Sequence, residues 1–329
     1  MASAEMNVAV RGENTLLGVA VIVVTVFAMS FADAIVKYVS SDLPLWQIYV
    51  VRSLIAIPII SSVSFLGLQM QLRPISIGWT MLRSLLLALM YIAIYAGVPV
   101  LSLSVIAASL YTGPLFITLF SAILIGEPVG QGRWFAIIIG FIGVLVIIRP
   151  GTDAFSVATL IPIIAAVFYA LAAIITRTKC SGEKPLTLAL ALNYSLLLVG
   201  LVMTAAIIVW QPLPSIQTAY PFLLGNWVTM GTAEWAVIGL LAILIVGIGM
   251  GLAKAYQCGP PAVIATFDYA YLIFAAMWGF VFFSERPDMA TITGMALIAI
   301  SGFLAVNPQG LLRLFSMGNR PVKTSNLDR

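Results

Sequence analysis

The chemistry open to this chain rests on a few ionisable residues set inside long apolar stretches. Asp33 and Lys37 stand four residues apart, so a helix would carry both on one face, where they can pair. Arg52 lies at similar depth in the next stretch. A charge inside a bilayer costs about 3 kcal/mol on insertion scales, so each needs a partner, a wet cavity or a task. One reading joins Asp33, Lys37 and Arg52 into a network at the outer mouth of a solute site. Arginine presents a planar fork for carboxylate or phosphate, so that reading expects an anionic group on the solute. The other reading has Lys37 snorkel to the interface and Asp33–Arg52 clamp two helices. Asp268 stands seven residues into another apolar stretch, roughly 10 Å along a helix axis, with Lys254 as its nearest basic candidate. It serves proton coupling or amine binding in one reading and a structural bridge to Lys254 in the other. Tyr91, Tyr95, Tyr111, Tyr169 and Tyr269 offer apolar rings with polar tips. Turned inward, they would stack a flat solute; turned elsewhere, they are ordinary helix packing.

What is missing narrows the field. The chain has no histidine and only two cysteines, Cys180 and Cys258. Imidazole-based hydrolase sites, HExxH metal sites and thiol-rich metal sites are therefore out, and no metal or cofactor is expected. No lysine follows a glycine, so there is no phosphate-binding loop of the ATP-driven pumps. The aspartates form no close pair, which removes the Asp-rich metal motif of membrane prenyl transferases.

The elements that must position these residues follow from composition. Apolar residues make up 62% of the 329, charged residues 9%, and mean hydropathy is +1.10. A soluble globule carries about 25% charged residues. The natural solvent of this chain is lipid. Ten stretches approach the roughly 20 apolar residues that a spanning helix needs: 16–37, 46–67, 77–97, 103–125, 133–149, 155–176, 186–209, 235–256, 261–283 and 290–306. They must be helical, because hydrocarbon leaves backbone N–H and C=O groups unsatisfied in any open form. Gly113-Pro114 should kink the fourth stretch, and the GxxxG spacing of Gly247 and Gly251, like Gly140 and Gly143, should bring helices close. Segment 210–234 reads as a lid or an interfacial turn.

Basic residues set the orientation. With the N-terminus inside, twelve of the sixteen fall inside or at inner helix ends. Lys37, Arg149 and Arg286 fall outside, and Arg52 lies within a span. Both termini are then cytoplasmic, and segment 1–15 is polar and not expected to be a signal peptide. Trp46, Trp210, Trp227 and Trp235 fall at outer ends, Trp79 and Trp134 at inner ends, as an aromatic belt. Both cysteines fall inside and are expected to be free thiols. The net charge of +4 is accounted for by inside-positive loops, and nucleic-acid binding is not indicated.

The two halves repeat. VIAASLYTGPLFITLFSAILIGE (105–127) aligns with VIATFDYAYLIFAAMWGFVFFSE (263–285) at a shift of 158. This pairs Tyr111 with Tyr269 and Glu127 with Glu285. Near the second stretch the shift is 141, pairing Pro44-Leu45 with Pro185-Leu186 and Arg52 with Asn193. An asymmetric site follows, charged on one side and amide-bearing at Asn193 on the other. A five-span unit followed by its copy must have the copy upside down. The expected fold is thus all-α and integral to the membrane: ten transmembrane helices as two inverted five-helix repeats. The expected units are a cytoplasmic tail 1–15, repeats 16–149 and 155–308, and a cytoplasmic tail 309–329.

Ten spans, the repeat, the segments ending in Gly126-Glu127 and Ser284-Glu285, and the run Asp33-Ala34-Ile35-Val36-Lys37 followed by Pro44 and Gln47 to Arg52 resemble the EamA-type drug/metabolite transporter superfamily. The first-unit pattern is similar to that of riboflavin and S-adenosylmethionine uptake members. The resemblance implies a secondary carrier of a small organic metabolite (amino-acid-, vitamin- or nucleotide-like) across the inner membrane. It implies alternating access around a cavity lined by spans 1, 3, 4, 6, 8 and 9, with proton coupling as the task open to Asp268. The partners are then the solute and the bilayer. On the residues themselves, a lipid-modifying enzyme lacks every motif sought above, and a channel differs by showing no counterflow.

Overall fold

The computed structural model describes residues 15–65, 72–110, 112–126, 131–149, 157–180, 182–258 and 267–306, and all regular structure among them is helical. The apolar runs become α1 (Thr15–Val39), α2 (Leu45–Phe65), α3 (Ile77–Gly97), α4 (Leu103–Leu110), α5 (Gly113–Phe120), α6 (Gln131–Ile148), α7 (Ile161–Lys179) and α8 (Pro185–Trp210). After them come the short α9 (Pro214–Ala219) and α10 (Pro221–Leu224), then α11 (Thr232–Cys258), α12 (Ala270–Phe283) and α13 (Met289–Val306). Seven stretches among the described residues are long and apolar enough to cross a membrane, with three shorter apolar helices at Ile137–Ile147, Ala270–Phe283 and Met289–Ser301.

The fourth stretch is not one helix. It is split into α4 and α5 at Thr112, whose hydroxyl donates to Ser109 O at 2.7 Å, and a π turn (Ser121–Ile125) follows. Pro114 falls in the first turn of α5, where a missing N–H costs nothing. Polar side chains inside the helices bond back to their own backbone: Thr25 to Val21 O, Thr176 to Ala172 O and Asn193 Nδ2 to Ala189 O, at 2.7–2.9 Å. Each thereby finds an acceptor within its own helix.

Association in lipid cannot lean on apolar burial, so close approach matters more. α6 runs along α13, α3 along α7, α1 along α11 and α2 along α8. At the α6–α13 crossing, a Cβ on Gly294 would stand 2.7 Å from Gly143 O and 2.3 Å from Ile147 Cγ1, so only glycine fits. The GxxxG reading on α11 is half corrected. Gly251 meets Thr25 of α1 and Gly249 meets Ala189 of α8, but Gly247 faces open space. The aromatic belt also needs one correction. Trp79, Trp134, Trp210, Trp227 and Trp235 are exposed, but Trp46 is buried, because its indole N–H donates to Leu223 O at 2.7 Å.

Candidate functional site

The first three turns of α2 are buried on every side, residues 43–53 without exception. A helix buried all round is normally apolar throughout, yet this stretch carries Gln47, Arg52 and Ser53. Arg52 is only 2% exposed. Facing it is a small cavity of about 10 Å³, lined by Met29, Ala32 and Asp33 of α1, Arg52, Tyr91 and Tyr95 of α3, and Leu241, Ile245 and Ile248 of α11.

Asp33 accepts a hydrogen bond on each oxygen, from Tyr95 OH at 3.1 Å and from Tyr271 OH at 2.6 Å. Arg52 makes no ion pair among the described residues; it lines the same cavity as Asp33 and acts on that carboxylate through space, more weakly than the two tyrosine hydroxyls do. Its guanidinium lies over the Tyr49 ring at 5.3 Å, while Nε and Nη2 are buried without a hydrogen-bond partner. Tyr91 and Tyr95 stack at 5.9 Å and 27°, and Tyr49 tilts against Tyr95 at 6.1 Å. The result is a charge-compensated pair walled by four tyrosines and three aliphatic side chains.

Four of the residues expected from the sequence meet here: Asp33, Arg52, Tyr91 and Tyr95. The others do not. Lys37 is corrected: it pairs with Glu285 and donates to Leu101 O at 2.7 Å, with the Phe283 ring 5.1 Å away. Asp33 is already held by two hydroxyls, and the lysine stem reaches the helix end, where these acceptors sit. Asn193 is buried on α8 and bonds within its own helix. Tyr169 packs against Gly113 at the start of α5. Asp268 and Tyr269 are buried at 3% and 7%, away from this cavity's lining. Lys254 is exposed, and among the described residues no ion pair joins it to Asp268. Tyr111 and Glu127 lie outside the described residues, as do most of both tails. Tyr49 and Tyr271 were missed. Tyr49 had a signal, three residues before Arg52 on the same helix face; Tyr271 had none.

Ties close the structure above and below. Glu285 also accepts from Leu103 N–H at 2.9 Å. Arg149 pairs with Asp288 beyond the helix ends, and that hydrogen bond holds the Asp288 carboxyl down at about 2. At the opposite end, Glu183 accepts from Ser76 N–H at 2.8 Å and Thr80 Oγ1 at 3.2 Å. Arg83 Nε donates to Thr176 Oγ1 at 2.8 Å.

Segment 210–234 folds down onto α2. Gln47 bonds Val228 in both directions, Nε2 to O at 2.8 Å and N–H to Oε1 at 2.9 Å. Trp227 Nε1 donates to Thr204 Oγ1 at 3.1 Å. Two hydrogen bonds of about 1 kcal/mol each hold the strap. Gln47→Ala should therefore speed amide exchange over 225–231 by about tenfold, read by hydrogen–deuterium exchange mass spectrometry. Unchanged protection would mean the strap is held by its other contacts, the Trp46 and Trp227 hydrogen bonds among them.

Residues 16–149 match the profile of the EamA-like transporter family. The riboflavin transporter of Vibrio cholerae is 30% identical over 83% of this chain and 87% of its own. The chain belongs to the EamA-like transporter family. It is a multi-pass membrane protein of the drug/metabolite transporter superfamily, a transporter of small metabolites. The pseudopaline exporter CntI of Pseudomonas aeruginosa is 28% identical over 86% of this chain and 94% of its own. The S-adenosylmethionine uptake transporter of Rickettsia prowazekii is 26% identical over 56% of each. A solved crystal structure shares the fold at TM-score 0.61 and 18% identity, over 91% of this chain and 98% of the other. These relatives are transporters rather than enzymes.

Proposed function

We propose that this member is a secondary carrier of the inner membrane, working by alternating access between two inverted five-helix repeats, 16–149 and 155–308. Its tails, 1–15 and 309–329, are cytoplasmic in this reading. The observation that carries it is the cavity itself: a buried Asp33–Arg52 couple on one repeat, closed by Leu241, Ile245, Ile248 and Tyr271 of the other. A solute held there touches both bodies, which is what a rocking carrier requires.

The helix packing supports the repeat. Exchange each helix with its expected counterpart in the other half. Then α1 on α11 becomes α7 on α3, α3 on α8 becomes α11 on α2, and α1 on α12 becomes α7 on α4 and α5; all of these contacts occur. α2 on α8 and α6 on α13 exchange into themselves, as pairs on a two-fold axis do. The buried first turns of α2 (residues 43–53) have a counterpart in residues 186–193 of α8.

The solute class follows from the relatives named for riboflavin and S-adenosylmethionine: a vitamin- or nucleotide-like metabolite with a flat ring. Such a solute needs far more than the roughly 10 Å³ present, since drug-sized sites run from about 300 Å³ upward. The arrangement described is therefore the contracted one. Proton coupling is assigned to Asp268, buried just before α12. The remaining sequence candidates, Lys37, Tyr169, Asn193 and Tyr269, then serve the moving elements rather than the solute.

Counterflow tests this. Purified protein in liposomes preloaded with unlabelled riboflavin or S-adenosylmethionine should take up the labelled compound several-fold faster than unloaded vesicles, and a proton gradient should change the rate. Passive, non-accelerated flux would support a channel instead.

A further inference from the structure

The guanidinium of Arg52 is used on one side only. Its face rests on Tyr49, and its charge is balanced through space by Asp33. Nε and Nη2 together form the side-on edge of the group, two parallel donors set to grip two coplanar acceptors at once. Both are buried and unpartnered, on a residue 2% exposed that lines the cavity. Leaving two charged donors unmade in a dry site is costly, and such groups are normally bonded. Asp33 does not fill the role: its two oxygens are engaged by Tyr95 and Tyr271.

Resting on the reading of this cavity as the solute site, we infer that Arg52 selects the substrate by its side-on fork: the solute presents a pair of adjacent, coplanar acceptors on a flat ring. The stacked Tyr91 and Tyr95 supply the aromatic wall for that ring. Charge decides what the acceptor edge is. Arg52 and Asp33 already sum to zero, so a neutral edge, such as the carbonyl oxygen of a pyrimidinedione beside the unprotonated nitrogen of a fused pyrazine ring, enters without leaving a buried charge unbalanced. A carboxylate on a ring offers the same acceptor pair but brings a net negative charge. A flat cation has no acceptor pair and meets a cavity whose carboxylate is occupied. This site thus takes neutral planar acceptor edges first, ring carboxylates second and cations last.

The test uses the full-length protein in detergent and three probes: lumichrome for the neutral edge, nicotinate for the carboxylate and tryptamine for the cation. Binding is read by tryptophan quenching and thermal stabilisation. Lumichrome should bind, and Arg52→Lys, which keeps the charge but not the fork, should weaken it at least tenfold. Arg52→Gln, which keeps a single amide donor group, should weaken it similarly. Nicotinate binding more tightly than lumichrome, with the same loss in Arg52→Lys, would keep the fork and overturn the order of charge. Tryptamine binding best, equal binding by Arg52→Lys and wild type, or no binding of either acceptor probe would overturn the inference. Counterflow of riboflavin by the wild-type protein is scored separately. Exchange with unaltered Arg52→Lys affinity sinks the fork alone, and loss of exchange with the binding ratio intact sinks the carrier reading alone.

Discussion

Asp33→Asn should lower the melting temperature in detergent by about 5 °C and cut counterflow at least tenfold. The carboxylate does two jobs. It accepts from two buried tyrosines, and it is the charge that balances Arg52. Asparagine keeps one acceptor oxygen but leaves the arginine, 2% exposed, without compensation. Removing one member of a buried pair costs about 3 kcal/mol or more, because the other charge stays behind. At roughly 2 °C per kcal/mol for a protein of this size, the shift is several degrees. The control lies in the partner. Asp33→Asn combined with Arg52→Gln removes both charges, so it should melt close to wild type while remaining inactive. Tyr271→Phe takes away one donor only and should cost about 1 kcal/mol. If the single and double variants melt alike, the two residues are not energetically coupled, and the account of the cavity as a compensated pair is wrong.

Membrane spans and the charged members of the site were legible in the sequence for one reason: both are violations of an expected solvent. Long apolar runs cannot be soluble, and Asp33 and Arg52 cannot sit in lipid unattended. Tyr91 and Tyr95 were named for residue type alone, and nothing in the sequence joined them to Asp33 and Arg52. What could not be read was which neighbour each charge takes. Helical spacing made Lys37 the natural partner of Asp33, but spacing along one helix says nothing of acceptors brought in from another. Tyr271 reaches Asp33 across 238 positions, and Glu285 reaches Lys37 across 248. The same holds for Gln47, whose amide binds a backbone segment 181 residues away. Trp46 failed as a belt residue because its indole found a carbonyl in the strap. Local pattern identifies the elements, while tertiary pairing assigns their polar contacts.

Glu285→Gln should raise access to the cavity from the end where Lys37 and Leu103 lie by about tenfold. Glu285 is placed by a turn. Ser284 adopts the left-handed conformation at φ 54°, and the chain folds back so that Glu285 N–H donates to Gly279 O at 3.1 Å. Gly279 makes the room, since a Cβ there would stand 2.7 Å from Glu285 Oε2. From this position one carboxylate holds the Lys37 ammonium at the end of α1 and the Leu103 N–H at the start of α4. Three elements, two from the first half of the chain and one from the second, are thereby pinned at one end of the molecule. For the cavity to open at that end, the knot must come apart, so its strength enters the balance between closed and open forms. The ion pair is largely shielded, with side chains 14% and 17% exposed. Losing about 1.4 kcal/mol of it shifts that balance tenfold. Glutamine preserves the acceptor for Leu103 N–H and removes only the charge, which isolates the pair. The measurement is the labelling rate of Ala32→Cys, at the cavity wall, by an impermeant maleimide, with Cys180 and Cys258 replaced by serine. Lys37→Met should accelerate labelling to the same degree, and the double variant no further, because both remove one interaction. An unchanged or slower rate in Glu285→Gln would make this cluster a static brace, and the gate at that end would have to be sought in the Gln47 strap.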